Sequence, residues 1–412
     1  MKNSSFTIWL VTIGESTPID GTNVRLLRAG QVGELLSTLD YNVIWFNSKF
    51  DHIKKKMRLH SSLSLKNNYK LIFLKAIGYQ KNISIKRLID HYKVGLEFLK
   101  ISKSLEKPNF ILCSYPSISL CESAIYFANI NNIKIAVDYR DDWPEAMEYS
   151  FYYIPKFIRN ILFFWFHFRK KKILHNCNSI IVNSFEMGDY LSKRYNVNRS
   201  KFIEIPFSVD KLETKNLNAN NDSFKSFLNI IDTRPVFIFA GTIGNSFDFE
   251  ILLNAISELN KLNSISFFIF AGDGELFSKL KTQYFYCKNL IFTGYLSKDE
   301  LNILLEKSHF GLAPYKNVDH FKRVMTNKPI EYISFGLEII TSLRESPIVN
   351  LIKKYNFGFQ YLNTEDLINK ILHIESNWNI NERNSKKNYV KNIYVSFYSE
   401  KKFQQNIINL LN

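Results

Sequence analysis

The run Asn327-Lys328-Pro329-Ile330-Glu331-Tyr332-Ile333-Ser334-Phe335-Gly336 places a cation and a carboxylate at the opening of a predicted helix. Pro329 suits the first helical turn, where a missing N–H costs nothing. Gly336 is the natural stop, and Leu337-Glu338-Ile339-Ile340-Thr341 resumes as a strand. A helix N-terminus attracts phosphate, because its free N–H groups and its dipole favour negative charge. Lys328 adds a positive charge there, and Glu331 offers oxygens that accept the hydroxyls of a ribose or another sugar. This is the chemistry of holding a nucleotide-linked sugar. It also fits an ordinary helix–strand unit with a surface Lys and Glu, so the neighbouring segments decide.

Those segments are strand ends that carry glycine. Gly241-Thr242-Ile243-Gly244-Asn245 closes the apolar run Val236 to Ala240. Gly272 and Asp273 follow Phe270-Ala271, and Gly294 and Tyr295 follow Ile291-Phe292-Thr293. Glycines at strand-to-helix turns let backbone N–H groups come close to a diphosphate. The spacing matches neither a Walker loop nor a dinucleotide fingerprint. One such glycine is turn chemistry; several in one half, closing with Lys328 and Glu331, read as the rim of a ligand site.

Positioning these groups takes strands alternating with helices. Strands are predicted at 6–13, 41–47, 109–115, 133–139, 179–184 and 201–206, with helices at about 24–38, 84–105, 117–130, 155–174 and 185–194. Residues 210–232 turn polar and Asn-rich, as a linker does. A second series follows, with strands at about 236–240, 265–271, 290–293, 310–314 and 337–341. The predicted fold is α/β: two doubly wound Rossmann-like domains facing a cleft, with ligands beyond the carboxyl ends of the strands. The expected division is 1–207, a linker at 208–233, a second domain at 234–379, and a helical tail at 380–412 packing back on the first domain.

The composition bounds the function. The chain has 412 residues, 46% hydrophobic and 15% aromatic, which supports two filled cores. The four cysteines show no CxxC spacing and suggest neither a disulfide framework nor a zinc site, so a reducing cytoplasm is expected. The first apolar run reads as a buried strand rather than a leader peptide, and no stretch reaches a membrane span. A formal charge of +16 asks for an anionic partner, or reflects a Lys- and Asn-rich composition. No nucleic-acid-binding motif accompanies it, and none is expected as a partner.

The first half carries a more specific element, Val137-Asp138-Tyr139-Arg140-Asp141-Asp142-Trp143-Pro144-Glu145. It resembles the D-x-R-D-x-W-P-E signature of bacterial transferases in O-antigen, capsule and exopolysaccharide assembly. Arg28-Ala29-Gly30 and Phe50-Asp51-His52-Ile53-Lys54-Lys55 look like the R-x-G and F-D-H-x-x-K elements of that group. The second half resembles the donor domain of GT-B glycosyltransferases of family 4, and the likeness spans roughly residues 6–376. The resemblance implies transfer of a sugar, with retention, from a nucleotide diphosphate donor (UDP-sugar favoured over GDP-sugar). A polyprenyl-diphosphate-linked saccharide is the implied acceptor, with neither metal nor cofactor. It assigns Glu331 to the ribose and the 241–245 loop to the diphosphate. Gly272, Asp273, Gly294 and Tyr295 line the donor site, Tyr295 meeting the base through its backbone. Arg140 and Asp141 would face the reaction, and Arg28, His52, Trp143 and Glu145 the acceptor side. The family's Arg/Lys pair after the first glycine is missing, and Val324 stands where a first glutamate is common. The diphosphate partner is therefore Lys328 or, second, Arg323. Asp138, Arg140 and Asp141 also fit a local salt-bridge network, and His52 a solvated loop.

Pro155 to Phe168 is aromatic and runs into Arg169-Lys170-Lys171-Lys172. It is too short and too basic to span a bilayer. Together with the 53–58 basic loop it is expected to lie on the anionic inner face of the cell membrane, unless the helix simply faces the core. Two rival readings share the fold: a nucleotide-sugar 2-epimerase, and a non-catalytic homologue acting as a partner subunit.

Overall fold

The computed structural model describes residues 6–21, 26–151, 153–207 and 233–411. The expected linker at 208–233 lies outside the described residues except for Thr233. The chain divides into two compact units, residues 1–205 with 406–412, and residues 206–405.

The first unit runs β1 (Thr7–Val11), α1 (Arg28–Thr38), β2 (Asn42–Ser48), β3 (Phe50–Asp51), β4 (Lys56–Met57), β5 (Ser62–Lys66), β6 (Tyr69–Leu74), α2 (Ile85–Ser102) and β7 (Phe110–Tyr115). It continues through α3 (Ile118–Ile130), β8 (Lys134–Tyr139), α4 (Glu145–Ser150), α5 (Lys156–Asn176), β9 (Ser179–Val182), α6 (Phe185–Tyr195) and β10 (Phe202–Glu204). The sheet order is β10-β9-β8-β7-β1-β2-β6-β5, parallel throughout except that β5 is antiparallel to β6. The chain leaves β1 to one side and returns on the other at β7, so the order reverses at the β1/β7 junction. Ligands of such sheets bind at that point. The β5–β6 hairpin is an addition that the strand pattern did not reveal. Its outer strand alternates exposed and half-buried residues, a weaker signal than the fully buried run of β7.

The second unit runs β11 (Val236–Ala240), α7 (Phe249–Lys261), β12 (Phe267–Ala271), α8 (Phe277–Gln283), β13 (Leu290–Gly294), α9 (Lys298–Lys307), β14 (Phe310–Ala313) and α10 (Asp319–Arg323). It ends with α11 (Asn327–Ser334), β15 (Glu338–Thr341), α12 (Pro347–Tyr355), β16 (Gly358–Gln360), α13 (Thr364–Ser376), α14 (Ile380–Phe397) and α15 (Glu400–Leu411). All strands are parallel, in the order β13-β12-β11-β14-β15-β16, which reverses between β11 and β14. Helices cover both faces of a parallel sheet, so its strands are apolar without alternation. β11 and β12 read Val-Phe-Ile-Phe-Ala and Phe-Phe-Ile-Phe-Ala, and every residue in them is buried. Phe237 stacks on Phe268 and Phe310 at 4.9 and 4.6 Å.

The tail departs from expectation. Val390, Ile393 and Tyr394 of α14 join the core of the second unit, and Arg383 pairs with Glu338 at 2.8 Å. Only the residues from Asn406 onward group with the first unit.

Candidate functional site

In the second unit, the loops after β11, β12, β13 and β14 are zipped together at the carboxyl edge of the sheet. Gly241 donates to the Ala271 carbonyl at 2.8 Å, and Gly272 to Gly294 at 2.9 Å. Ile243 donates to Asp273 at 2.9 Å, Leu276 to Ile243 at 3.1 Å, and Asp248 to Pro314 at 2.7 Å. The Glu275 carboxylate accepts from the Asn245 N–H at 3.0 Å. This close approach is why glycine is required. Gly272 has φ +140°, and a Cβ there would collide with the Gly241 carbonyl. Gly274 has φ +156°, and its Cβ would stand 2.6 Å from the Ile243 oxygen.

Helix α11 aims its first turn at the same place. Thr326 caps it with extended backbone, and Gly336 with φ +82° ends the turn beyond it, as the sequence predicted. The Lys328 side chain is largely buried. Its Nζ donates to the Ala240 carbonyl and lies 4.8 and 5.3 Å from the ring centres of Phe239 and Phe247. A Cβ on Gly241 would overlap that Nζ. Burial lowers the amine from its usual 10.5 to about 8, with nearby Glu331 pulling the other way. The structure thus brings Lys328, Glu331 and the 241–245 loop together. Thr242, Asn245 and Asp273 are exposed on the loops, while Gly244 is buried. Arg323 closes the five-residue α10 and is half-buried. The Tyr295 side chain, 87% exposed, turns to solvent, leaving its backbone at the strand end.

In the first unit the corresponding edge is built on charge. Arg140 follows β8 and is clamped between two carboxylates, Asp138 through Nε at 2.5 Å and Glu15 through Nη1 at 2.6 Å. Glu15 sits just past β1 and is buried; burial raises its pKa against the opposing pull of Arg140. The same two carboxylates hold Arg140 protonated, above its usual range. Among the described residues, one oxygen of Glu15, one of Asp138 and Nη2 of Arg140 are buried without a hydrogen-bond partner. Glu15 was not among the predicted site residues. Its signal was the Gly14-Glu15 step after a first buried strand, the same strand-end glycine that marked the second half.

Asp141 is exposed beside this network. Two residues expected on the acceptor side are instead sealed from solvent. Arg28 is buried, with Nη1 donating to the Ile205 carbonyl at 2.7 Å and Nε 3.6 Å from Asp138. Glu145 is buried against Lys170 at 2.8 and 3.0 Å and accepts from the Tyr195 hydroxyl at 2.8 Å. Both brace the strand ends from behind. Trp143 is half-buried: its carbonyl accepts from Tyr115 at 2.6 Å and its ring meets Phe166 edge-on at 4.9 Å. His52 reaches the site. A Cβ on Gly14 would stand 3.0 Å from the His52 Cβ, and His52 Nδ1 is 2.7 Å from the Tyr79 hydroxyl. Burial, Lys55 and Arg87 lower its pKa.

The basic run at 169–172 also needs correcting as a uniformly outward patch. Lys170 is 0% exposed, tied to Glu145, to the Tyr139 hydroxyl at 2.5 Å and to Asp142 at 3.5 Å. Arg169 pairs with Glu122. A helix with one buried and one exposed face turns consecutive residues to opposite sides, and a run of like charges hides this. Arg58, in the other basic cluster, is likewise buried, with Nε and Nη2 both 2.8 Å from Asp20. Among the described residues no helix is long and apolar enough to cross a membrane.

Comparison with known proteins follows the division into units. The family model for Glycosyl transferases group 1 matches residues 220–393. No curated protein matches the chain. Solved structures align over its whole length. Sucrose-phosphate synthase from Thermosynechococcus elongatus superposes with TM-score 0.66 at 14% identity, covering 98% of both chains. HepE from Anabaena in complex with UDP gives 0.62 at 10%, covering 98% of this chain and 99% of its own. WaaG, a glycosyltransferase involved in lipopolysaccharide biosynthesis, gives 0.60 at 9%, covering 98% of both. Identities this low establish the fold alone. The chain has the GT-B fold of two Rossmann-like domains, and residues 220–393 match a group 1 glycosyltransferase domain.

Proposed function

We propose that the protein is a retaining glycosyltransferase, moving a sugar from a UDP-sugar to a lipid-linked saccharide in cell-surface polysaccharide assembly. The observation that carries this reading is the convergence of Lys328, Glu331 and the glycine loop 241–245 at the strand-order reversal of the second unit. HepE, which shares the fold, is described bound to UDP, and WaaG as acting in lipopolysaccharide biosynthesis.

In this reading the C1–oxygen bond to the diphosphate breaks and an acceptor hydroxyl oxygen bonds to C1. The hydroxyl proton passes to the released diphosphate. No metal is needed, because Lys328, the first turn of α11 and the loop N–H groups are fixed in advance where negative charge grows. Glu331 holds the ribose. Arg140, fixed by Glu15 and Asp138, and the exposed Asp141 face the acceptor side in the first unit. Helix α5 presents Phe157, Ile161, Leu162, Phe164, Trp165 and Phe168 to solvent, with Ile161 73% exposed. Lys171 and Lys172 follow, and this surface rests on the anionic membrane that carries the acceptor.

Calorimetry of the purified chain with UDP and GDP tests the proposal. UDP should bind more tightly than GDP, and Glu331→Ala should weaken UDP about tenfold to a hundredfold, the loss of charge-assisted hydrogen bonds. A folded protein that binds neither nucleotide refutes it.

A further inference from the structure

The segments 52–60 and 79–89 of the first unit contain Lys54, Lys55, Lys56, Arg58, Lys81, Lys86 and Arg87 and not one carboxylate. Among the described residues, Arg58 is the one of these that forms an ion pair, with Asp20 at 2.8 Å and Asp51 at 3.9 Å. Lys54 turns to the Asp20 carbonyl, while Lys55 and Arg87 meet at Tyr79. Lys55 Nζ lies 4.8 Å and the Arg87 guanidinium 5.7 Å from its ring centre. His52 bonds its hydroxyl, and Lys55 Nζ is also 3.4 Å from His52 and 2.6 Å from the Asn82 oxygen. Lys55 has a left-handed backbone, φ +53°, which costs a non-glycine residue energy. The nearest carboxylates are committed elsewhere. Asp51 accepts from Ile53 and Lys54 N–H groups at 2.8 and 3.0 Å, and Asp90 from Ile77 and Gly78 at 2.6 and 2.8 Å. Helix α2 opens here with Lys86 and Arg87 in its first turn and no acid, an unfavourable arrangement unless an anion supplies the charge.

The surroundings say what carries that anion. Ile53, Met57, Leu59, Ile77, Ile83 and Ile85 come from the same two segments and the loop that follows β6, and all are exposed, Leu59 by 91% and Ile85 by 76%. A cationic cluster whose own segments also carry bare aliphatic side chains suits the head of an amphiphile. The cluster also adjoins the reacting edge, since His52 lies against Gly14, next to the Glu15 that clamps Arg140.

We infer that Lys55, Arg87, His52 and Tyr79 form a binding site for the diphosphate of a prenyl-diphosphate-linked acceptor, with the flanking aliphatics holding the start of its hydrocarbon chain. The inference rests on the lipid-linked acceptor proposed above. It assigns the recognised chemistry to the diphosphate rather than to the attached sugars. Burial first, and then the neighbouring cations, lower the basicity of Lys55 and His52 against the opposing pull of Asp51, and a dianion would relieve the part due to repulsion.

The test uses the full chain saturated with UDP, so that the second unit cannot take the probe. Calorimetry with farnesyl diphosphate, inorganic pyrophosphate and farnesol should show farnesyl diphosphate binding at least tenfold more tightly than pyrophosphate, and farnesol not at all. Arg87→Gln should weaken farnesyl diphosphate at least tenfold and Lys55→Gln with Arg87→Gln about a hundredfold, while Arg87→Lys retains most of the affinity. UDP affinity, thermal stability and flotation with phosphatidylglycerol vesicles should stay within twofold or a degree or so of wild type. Unchanged farnesyl diphosphate binding in the double variant overturns the inference and leaves the UDP reading standing. So does loss of vesicle flotation alone, which would make the cluster a bilayer contact.

Discussion

Replacing Lys328 with Met should change the protein's stability little, and yet leave it unable to hold UDP. Burial takes the amine from 10.5 to about 8. Keeping the proton below pH 8 therefore costs the folded state about 3 kcal/mol, at roughly 1.4 kcal/mol per unit. The Phe239 and Phe247 rings return about 1–2 kcal/mol through cation–π attraction, and the Ala240 carbonyl about 1 kcal/mol more. Met keeps the stem volume and removes both terms. The net change in urea unfolding is then about −1 to +2 kcal/mol, where truncating a buried side chain ordinarily loses 2–5 kcal/mol or so. UDP affinity should fall about a hundredfold, the worth of one charge-assisted contact to diphosphate at roughly 3 kcal/mol. The pH dependence has a definite sign. Between pH 8 and 10.5 the unfolded lysine keeps its proton and the folded one releases it, so wild-type stability rises with pH through that window. The Met variant lacks that rise. UDP binding near pH 8.5 should take up part of a proton, seen as a dependence of calorimetric heat on buffer ionisation enthalpy. A variant that loses more than 2 kcal/mol of stability, or binds UDP like wild type, would refute the assignment of Lys328 to the diphosphate.

Lys170→Ala should lower stability by about 3–5 kcal/mol in thermal or urea unfolding, because it removes the buried cation held between Glu145 and Asp142; Lys171→Glu, at an exposed neighbour, should change it by less than about 0.5 kcal/mol. Gly272→Ala should abolish UDP binding measured by calorimetry, since its Cβ meets backbone at φ +140°. Gly244→Ala, whose nearest neighbour is the Glu275 carboxylate at 3.4 Å, should bind within severalfold of wild type. Ile161→Ser with Trp165→Ser should cut flotation with phosphatidylglycerol vesicles at least fivefold while leaving the unfolding midpoint unchanged, because both side chains are already exposed.

What the sequence showed clearly was whatever a short local pattern controls. Buried parallel strands such as Val236–Ala240 announce themselves as unbroken apolar runs, and Gly336 marks the end of α11 because its φ of +82° excludes most other residues. The glycine loops of the second unit were legible for the same reason: each needs glycine at a strand end. The first-unit network was not. Glu15 and Arg140 are 125 residues apart and meet only because β1 and β8 both flank β7 in the sheet. Arg28 and Glu145 have types that suit a ligand site, but burial is set by which neighbours the fold supplies. The cluster around Tyr79 was hidden in the same way, since Lys55 and Arg87 converge from segments on either side of the β5–β6 hairpin that the pattern had missed.

Helix α5 shows how one element serves two surfaces without signalling it. Phe157, Ile161, Phe164 and Phe168 recur at three- and four-residue spacing and form an exposed stripe. Phe163, Lys170 and Leu174 form the opposite, buried edge. Lys170 is the residue through which that edge grips Asp142 and Glu145, the flanks of the segment that begins with Asp141. A shift of α5 would therefore pass to Asp142 and Glu145, next to Asp141 in the chain. It follows that exchanging the whole basic run for acids does not probe membrane contact. That exchange breaks the buried ion pair and unseats the Asp141 segment, so loss of vesicle binding and loss of fold could not be told apart. Within α5 the exposed stripe with Lys171 and Lys172 can be altered to ask about lipid, and Lys170 to ask about the segment.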